Sequence, residues 1–200
     1  MRLVLILGTV LMLFGGCSLQ KTVPPVETYH LDVKTDTGTY ENRGCRDKII
    51  RVSLMEGADL MRRQDIYYTD DASKQYSYTR ARWIESPSRQ LYHLLERSIS
   101  AGGLFKGVIP YKSQARNDWL LEGNIHRFIQ VINSDGSSEI YVSIDLSLID
   151  QFSRKVISVK RIYLHEKGVE PNVKGAVRAF DKLMKNVLKE TNSWLNDECR

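Results

Sequence analysis

The chain is short of nearly everything that signals chemistry. Its three cysteines show no C-x-x-C spacing, which is too few for a structural zinc site. Four histidines, His30, His93, His126 and His165, sit far apart and none belongs to an H-E-x-x-H motif. No G-x-S-x-G nucleophile elbow occurs. Gly102 and Gly107 have the spacing of a phosphate loop, but Val108 stands where the lysine belongs, so a helix stop explains the glycines better. Asp70-Asp71 sits in turn-like sequence. These gaps point to a non-enzymatic protein without metal or cofactor. Positive charge is thin as well. Lys and Arg number 29 against 24 Asp and Glu, for a net charge of +5, and no basic block exceeds two residues. Nucleic-acid modules concentrate more charge than that, so no nucleic-acid partner is expected. A single long apolar run, at the N-terminus, excludes a polytopic membrane protein.

What is present begins with that run. Met1-Arg2 supplies one charge, and fourteen uncharged residues, Leu3 to Gly16, follow. The length suits the apolar core of an export signal and falls short of the ~20 residues that span a bilayer. The run closes with Gly15-Gly16-Cys17-Ser18, which resembles a bacterial lipobox, although Phe14 replaces the usual leucine. That resemblance implies cleavage after residue 16 and acylation of Cys17 by diacylglycerol and palmitate-type chains. The other reading is an ordinary secretory signal with an incidental cysteine. Three acyl chains would bind a membrane effectively permanently. Ser18 replaces the Asp of an inner-membrane retention signal, which favours the outer membrane, facing the periplasm. Residues 17–28 carry Pro24-Pro25 and no periodicity, so they read as a tether of roughly 40 Å at full extension.

Residues 29–200 read as one α+β domain, 42% hydrophobic and 26% charged over the whole chain, with core enough to fold. Strands are expected at 29–33, 49–54, 66–69, 76–81, 106–111, 119–132, 140–148 and 156–164. Ser86-Pro87 opens a helix with Leu91, Leu94, Leu95 and Ile99 on one stripe, and Gly102-Gly103 ends it. Pro171-Asn172 precedes a final helix with apolar positions from Val173 to Leu195. The expected architecture is an antiparallel sheet of three to five strands covered by two helices.

Two features could carry function. Tyr67, Tyr68, Tyr76 and Tyr78 with Arg80 and Arg82 fall in one expected hairpin, near Trp83, Arg62 and Arg63. Aromatics and arginines suit a protein interface, although alternate tyrosines and Trp83 fit a core equally well. Cys45 and Cys199 are the thiols left after acylation. In an oxidising compartment they would staple the early loop to the last helix, or else remain free or pair between molecules.

The ordered set (the lipobox, Tyr29-His30-Leu31, the 49–54 strand, 60–68, Arg82-Trp83-Ile84-Glu85-Ser86-Pro87, Leu121 to Phe128, 146–150 and the closing helix) resembles the ABC-type transport auxiliary lipoproteins. The resemblance implies an outer-membrane-anchored periplasmic subunit that docks, without catalysis, a mammalian-cell-entry type substrate-binding protein in lipid transport. It supplies no catalytic residues and leaves a homo-oligomer open. The reading from another class is a lipoprotein that activates a cell-wall synthase or stabilises the envelope. Such activators need a long tether to thread the wall, and this one is short.

Overall fold

Alternating apolar residues over 119–150 build the centre of the molecule, a hairpin of two long strands around which the rest assembles. The computed structural model describes residues 24–34, 40, 42, 44–70 and 74–200. Cys17 and the expected signal segment 1–16 lie outside them. In chain order the elements are β1 (Glu27–Tyr29), β2 (Ile49–Val52), β3 (Glu56–Gly57), a 3-10 turn (Asp59–Arg62), β4 (Asp65–Asp70) and β5 (Gln75–Trp83). Then follow α1 (Pro87–Gly102), β6 (Gly107–Ile109), β7 (Trp119–Ile132), β8 (Ser138–Asp150), β9 (Lys155–Lys167) and α2 (Val173–Glu198).

Among the described residues nine strands join one mixed sheet, not the three to five antiparallel strands the sequence suggests. The cause is the length of β7. One edge pairs with β8 along its whole length, and β8 continues into β9, both antiparallel. The other edge is too long for any single partner, so β2, β3 and β4 line up along it in succession, all parallel to β7. The chain from 49 to 70 thus forms one interrupted strand. β5 then pairs antiparallel with β4, β1 runs parallel to β5, and β6 runs parallel to β2.

Ile140, Val142, Ile144, Leu146 and Leu148 are fully buried, while Tyr141, Ser143, Asp145 and Ser147 between them stay partly open. Both helices contribute their apolar stripes to the core behind that buried face. Phe180 of α2 stacks on Phe128 of β7 with ring centres 4.0 Å apart, and Trp83 meets both rings at 5.8 and 6.0 Å. Within β7, Gly123 leaves room for Met55, whose Sδ would lie 2.5 Å from a Cβ there. α1 starts at Pro87, and the Ser86 backbone carbonyl accepts from the Arg89 and Gln90 amides. The Ser86 side chain makes no capping bond. Gly103 ends the helix at φ 63°, a left-handed conformation that suits glycine. α2 is capped by Asn172 Oδ1, which accepts from the Gly175 amide at 2.8 Å.

Candidate functional site

The tyrosines expected in one hairpin do meet, but they divide between two surroundings. Tyr68 and Tyr76 are cross-strand partners of β4 and β5 with stacked rings 5.3 Å apart, and Tyr78 packs 4.8 Å from Tyr68. Tyr78 is the inner member. Its hydroxyl donates to Gln130 Oε1 at 2.6 Å, and burial followed by the nearby Tyr68 pushes its pKa up to about 12. Tyr76 is the outer member, 41% exposed, with its hydroxyl directed to Asp70. Tyr67 projects to the opposite face of β4. There its hydroxyl donates to Asp65 Oδ2 at 3.1 Å, and burial followed by that bond raises its pKa. Trp83, at 1% exposure, is core.

Arg80 and Arg82 are exposed on β5. Arg82 joins Arg62, Arg63 and Arg89 along an open cleft of about 750 Å³, with Ile84 (56% exposed) on its wall. Carboxylates temper most of this charge. Arg62 pairs with Asp59 and Glu56, Arg63 with Asp65 at 3.1 Å, and Arg89 with Glu85 at 3.8 Å. Arg82 makes no ion pair among the described residues.

The N-terminal segment enters beside this cleft. Thr28 and Tyr29 of β1 lie in register with Arg82 and Trp83 of β5. The Ile84 amide donates to the Tyr29 carbonyl at 2.7 Å. The Leu31 amide donates to Gln90 Oε1 at 2.7 Å, and the Asp32 amide to Asp181 Oδ1 at 2.9 Å. Gln90 and Asp181 belong to α1 and α2, so both helices clamp the point where the chain joins the domain.

Cys45 and Cys199 form a disulfide with Cα atoms 5.2 Å apart, both side chains buried. The Gly44 amide also bonds the Cys199 carbonyl at 3.0 Å, and Asn42 Nδ2 donates to the Asn196 carbonyl at 2.7 Å.

Three of the four histidines lie apart from one another, each near a carboxylate. His126 Nε2 is 3.2 Å from Asp145, His165 Nε2 is 2.5 Å from Glu139, and His93 is 3.7 Å from Glu85. Among the described residues no group of three His, Cys, Asp or Glu could hold a metal ion, and no helix is long and apolar enough to cross a membrane.

Two features escaped the sequence reading. Gln130 is completely buried, and it donates to Ser138 Oγ at 2.6 Å and to the Glu170 carbonyl at 3.0 Å, so the tyrosine stack is tied to the turn that precedes α2. A glutamine in an otherwise apolar strand position, Phe128 to Ile132, was the available signal. The second is a row of exposed apolar residues from Phe152 to Tyr163.

The described residues thus form a two-helix layer on a mixed sheet, with exposed tyrosine and arginine side chains on the hairpin beside the N-terminal strand. The chain belongs to the ABC-type transport auxiliary lipoprotein component family, whose profile matches residues 29–191. That family is one of lipoproteins serving ABC-type transport. Among solved structures the chain is similar to protein XCC0632 from Xanthomonas campestris, assigned to family DUF330, with a TM-score of 0.76 at 14% identity over 86% of this chain and 96% of that one. It is also similar to an uncharacterized protein, with a TM-score of 0.64 at 13% identity over 86% and 99% of the respective chains. At such identities the likeness is one of fold. No curated protein matches the chain.

Proposed function

We propose that the chain is held by acylated Cys17 at the periplasmic face of the outer membrane. There it docks, without catalysis, the mammalian-cell-entry type substrate-binding protein of an ABC lipid transporter. The observation that carries this reading is the β4–β5 hairpin next to the tether. On this one short element Tyr76 stands exposed beside Tyr68 on one face, with the bonded Tyr78–Gln130 pair next to it, and Arg82 stands exposed beside Asp65 on the other. Exposed aromatic and arginine side chains are enriched at interface centres. Membership in a transport auxiliary family supplies the kind of system involved. The ten residue-to-residue steps from Cys17 to Glu27 reach about 35 Å at most, which keeps the domain close to its membrane. Activation of a cell-wall synthase would ask for a longer tether.

The test is affinity purification of the full-length protein from detergent-solubilised envelopes, alongside radiolabelled palmitate incorporation. The expected result is label on the native protein, none on Cys17→Ser, and co-purification of the substrate-binding protein, permease and ATPase. Co-purification of a cell-wall synthase in their place would overturn the reading.

A further inference from the structure

The turn between β8 and β9 carries Phe152 at its tip, 98% exposed. Hydrogen bonds hold the tip in place. The Ser153 amide donates to Asp150 Oδ1 at 2.6 Å, and the Gln151 amide donates to the Asp118 carbonyl at 2.8 Å. Among the described residues Arg154 is the one non-glycine with a positive φ, at 57°, where glycine would turn the chain with less strain. Beside the tip opens a cleft of about 650 Å³ between β2 and the 114–118 loop. Ile50 and Val52 are core, so Ile49 and Arg51 set this cleft on the sheet face away from the helices. Arg51 Nη2 donates to the Ala115 carbonyl at 2.6 Å, and Asp118 Oδ2 accepts from the Ile49 amide at 2.7 Å. Those bonds fix the loop that presents Arg116, which is exposed.

Charge at this end is one-sided. Arg51, Arg116, Arg154 and Lys155 lie at the cleft and the tip. Lys48 joins them, because it sits 4.2 Å over the ring of Trp119, the register partner of Asp150. Five cations thus meet two carboxylates, Asp118 and Asp150, each already engaged by a backbone amide. None of the five makes an ion pair among the described residues. Arg46 and Asp47, in the turn before Lys48, cancel each other. Glu122, the next acid along β7, lines a separate cleft with Glu56 and Asp145. Asp197 and Glu198 end α2 on the other side of the sheet, and Asp197 pairs with Arg200 at 2.8 Å.

The tip also lies away from the tether. Thr28 and Asp65 both pair with Arg82, and Tyr68, three residues after Asp65, pairs with Gln130. β1 is therefore level with the part of β7 near Arg127, whereas the tip is level with Trp119, about 25 Å along the strands. β1 runs antiparallel to β7, so the chain enters from the end opposite the tip. Setting Phe152 on the anchoring membrane would use nearly all of a tether about 35 Å long in running back past the domain.

We infer that this end of the domain docks an acidic surface of a second protein, with Phe152 in an apolar pocket and Arg116, Arg154 and Lys155 against the carboxylates around it. An exposed aromatic among arginines on a fixed frame has the composition of an interface centre. A second copy related by any two-fold axis through this patch would bring the same surplus of positive charge onto itself, whatever the register. The surface is separate from the β4–β5 hairpin, and its orientation away from the membrane rests on the Cys17 anchor proposed above.

The experiment places an aromatic photo-crosslinking amino acid at Phe152 or at Gln114 of the full-length protein in cells, with a separate probe at Tyr76 and palmitate labelling of the same samples. Crosslinked peptides are sequenced. The expected result is capture, from both tip positions, of a surface of another protein on which acidic side chains surround the crosslinked site. Arg154→Glu with Lys155→Glu should lower the yield severalfold, and lysine in place of the captured acids should restore it. Crosslinks to lipid, to a second copy of the chain or to a surface without acids would overturn the inference. So would a yield indifferent to the charge reversal, or no crosslink from the tip. Absence of the Tyr76 crosslink alone would count against the hairpin reading, and absence of palmitate alone against the anchor. Either result, with the acidic partner still captured at Phe152, leaves this inference standing.

Discussion

Removing the Cys45–Cys199 bridge, by replacing both residues with serine, tests how the two ends of the domain are held. The bridge spans 154 residues of sequence. In the chain-entropy model a loop of that size is worth about 5 kcal/mol, because opening it frees the denatured chain far more than the native one. The native contacts partly survive. The Gly44–Cys199 and Asn42–Asn196 bonds still join the early turn to the last helix, and Gly44 already lies too close to the Cys199 carbonyl to carry a side chain. The expected loss is therefore about 3–5 kcal/mol, or a fall in Tm on the order of 10 °C for a domain of this size. Urea melts of the oxidised protein and the double variant give the difference, and non-reducing gels report the bridge itself. A Tm within about 2 °C of the wild type, with unchanged gel mobility, would refute the reasoning.

Trp83→Ala would empty the space beside the stacked Phe128–Phe180 pair at a cost of about 3–5 kcal/mol, read from the denaturation midpoint. Tyr78→Phe removes the donor to buried Gln130 and is expected to cost about 1–3 kcal/mol. In a spectroscopic pH titration of the wild type, Tyr78 should ionise only near pH 12. Burial, ahead of the opposing Asp32 amide bond, raises the pKa of Asp181. The folded state then binds its proton more tightly than the unfolded chain, so the stability tied to Asp181 is present in acid and lost as pH rises through the folded pKa. Asp181→Asn should therefore stabilise the domain at neutral pH, with the gain vanishing below the ordinary carboxylate range. Glu139, held low first by Tyr141 and then by His165, acts in the opposite sense. Its stabilisation is present above the ordinary glutamate pKa and lost as pH falls through the folded value.

Elements set by local pattern were legible in the sequence. β7 has the bounds its alternation predicts, and α1 and α2 begin where Pro87 and Val173 predict, because a proline with a preceding serine, or a capping asparagine, acts within a few residues. The sheet's size and mixed direction were not legible. Whether Ile50, Glu56 and Tyr68 pair with β7 depends on the free edge that β7 offers some sixty to seventy residues later, and no local signal reports a parallel pairing. The candidate hairpin was visible as a cluster of aromatics, but the roles within it were not. An irregular register between Asp65 and Tyr67 changes which β5 residues share a face with Tyr68, so spacing could not separate buried Tyr78 from exposed Tyr76. Phe152 and the β9 row were read as an ordinary turn and strand, since a period-two pattern cannot say which strand lies at the edge.

The measurement that tests the account most directly is photo-crosslinking in cells from Tyr76 and Arg82, with the captured partner identified by mass spectrometry. The account predicts a mammalian-cell-entry type substrate-binding protein at both positions, lost when Cys17→Ser frees the domain from its membrane. Capture of a cell-wall synthase from these positions, or crosslinks indifferent to the loss of Cys17, would contradict it.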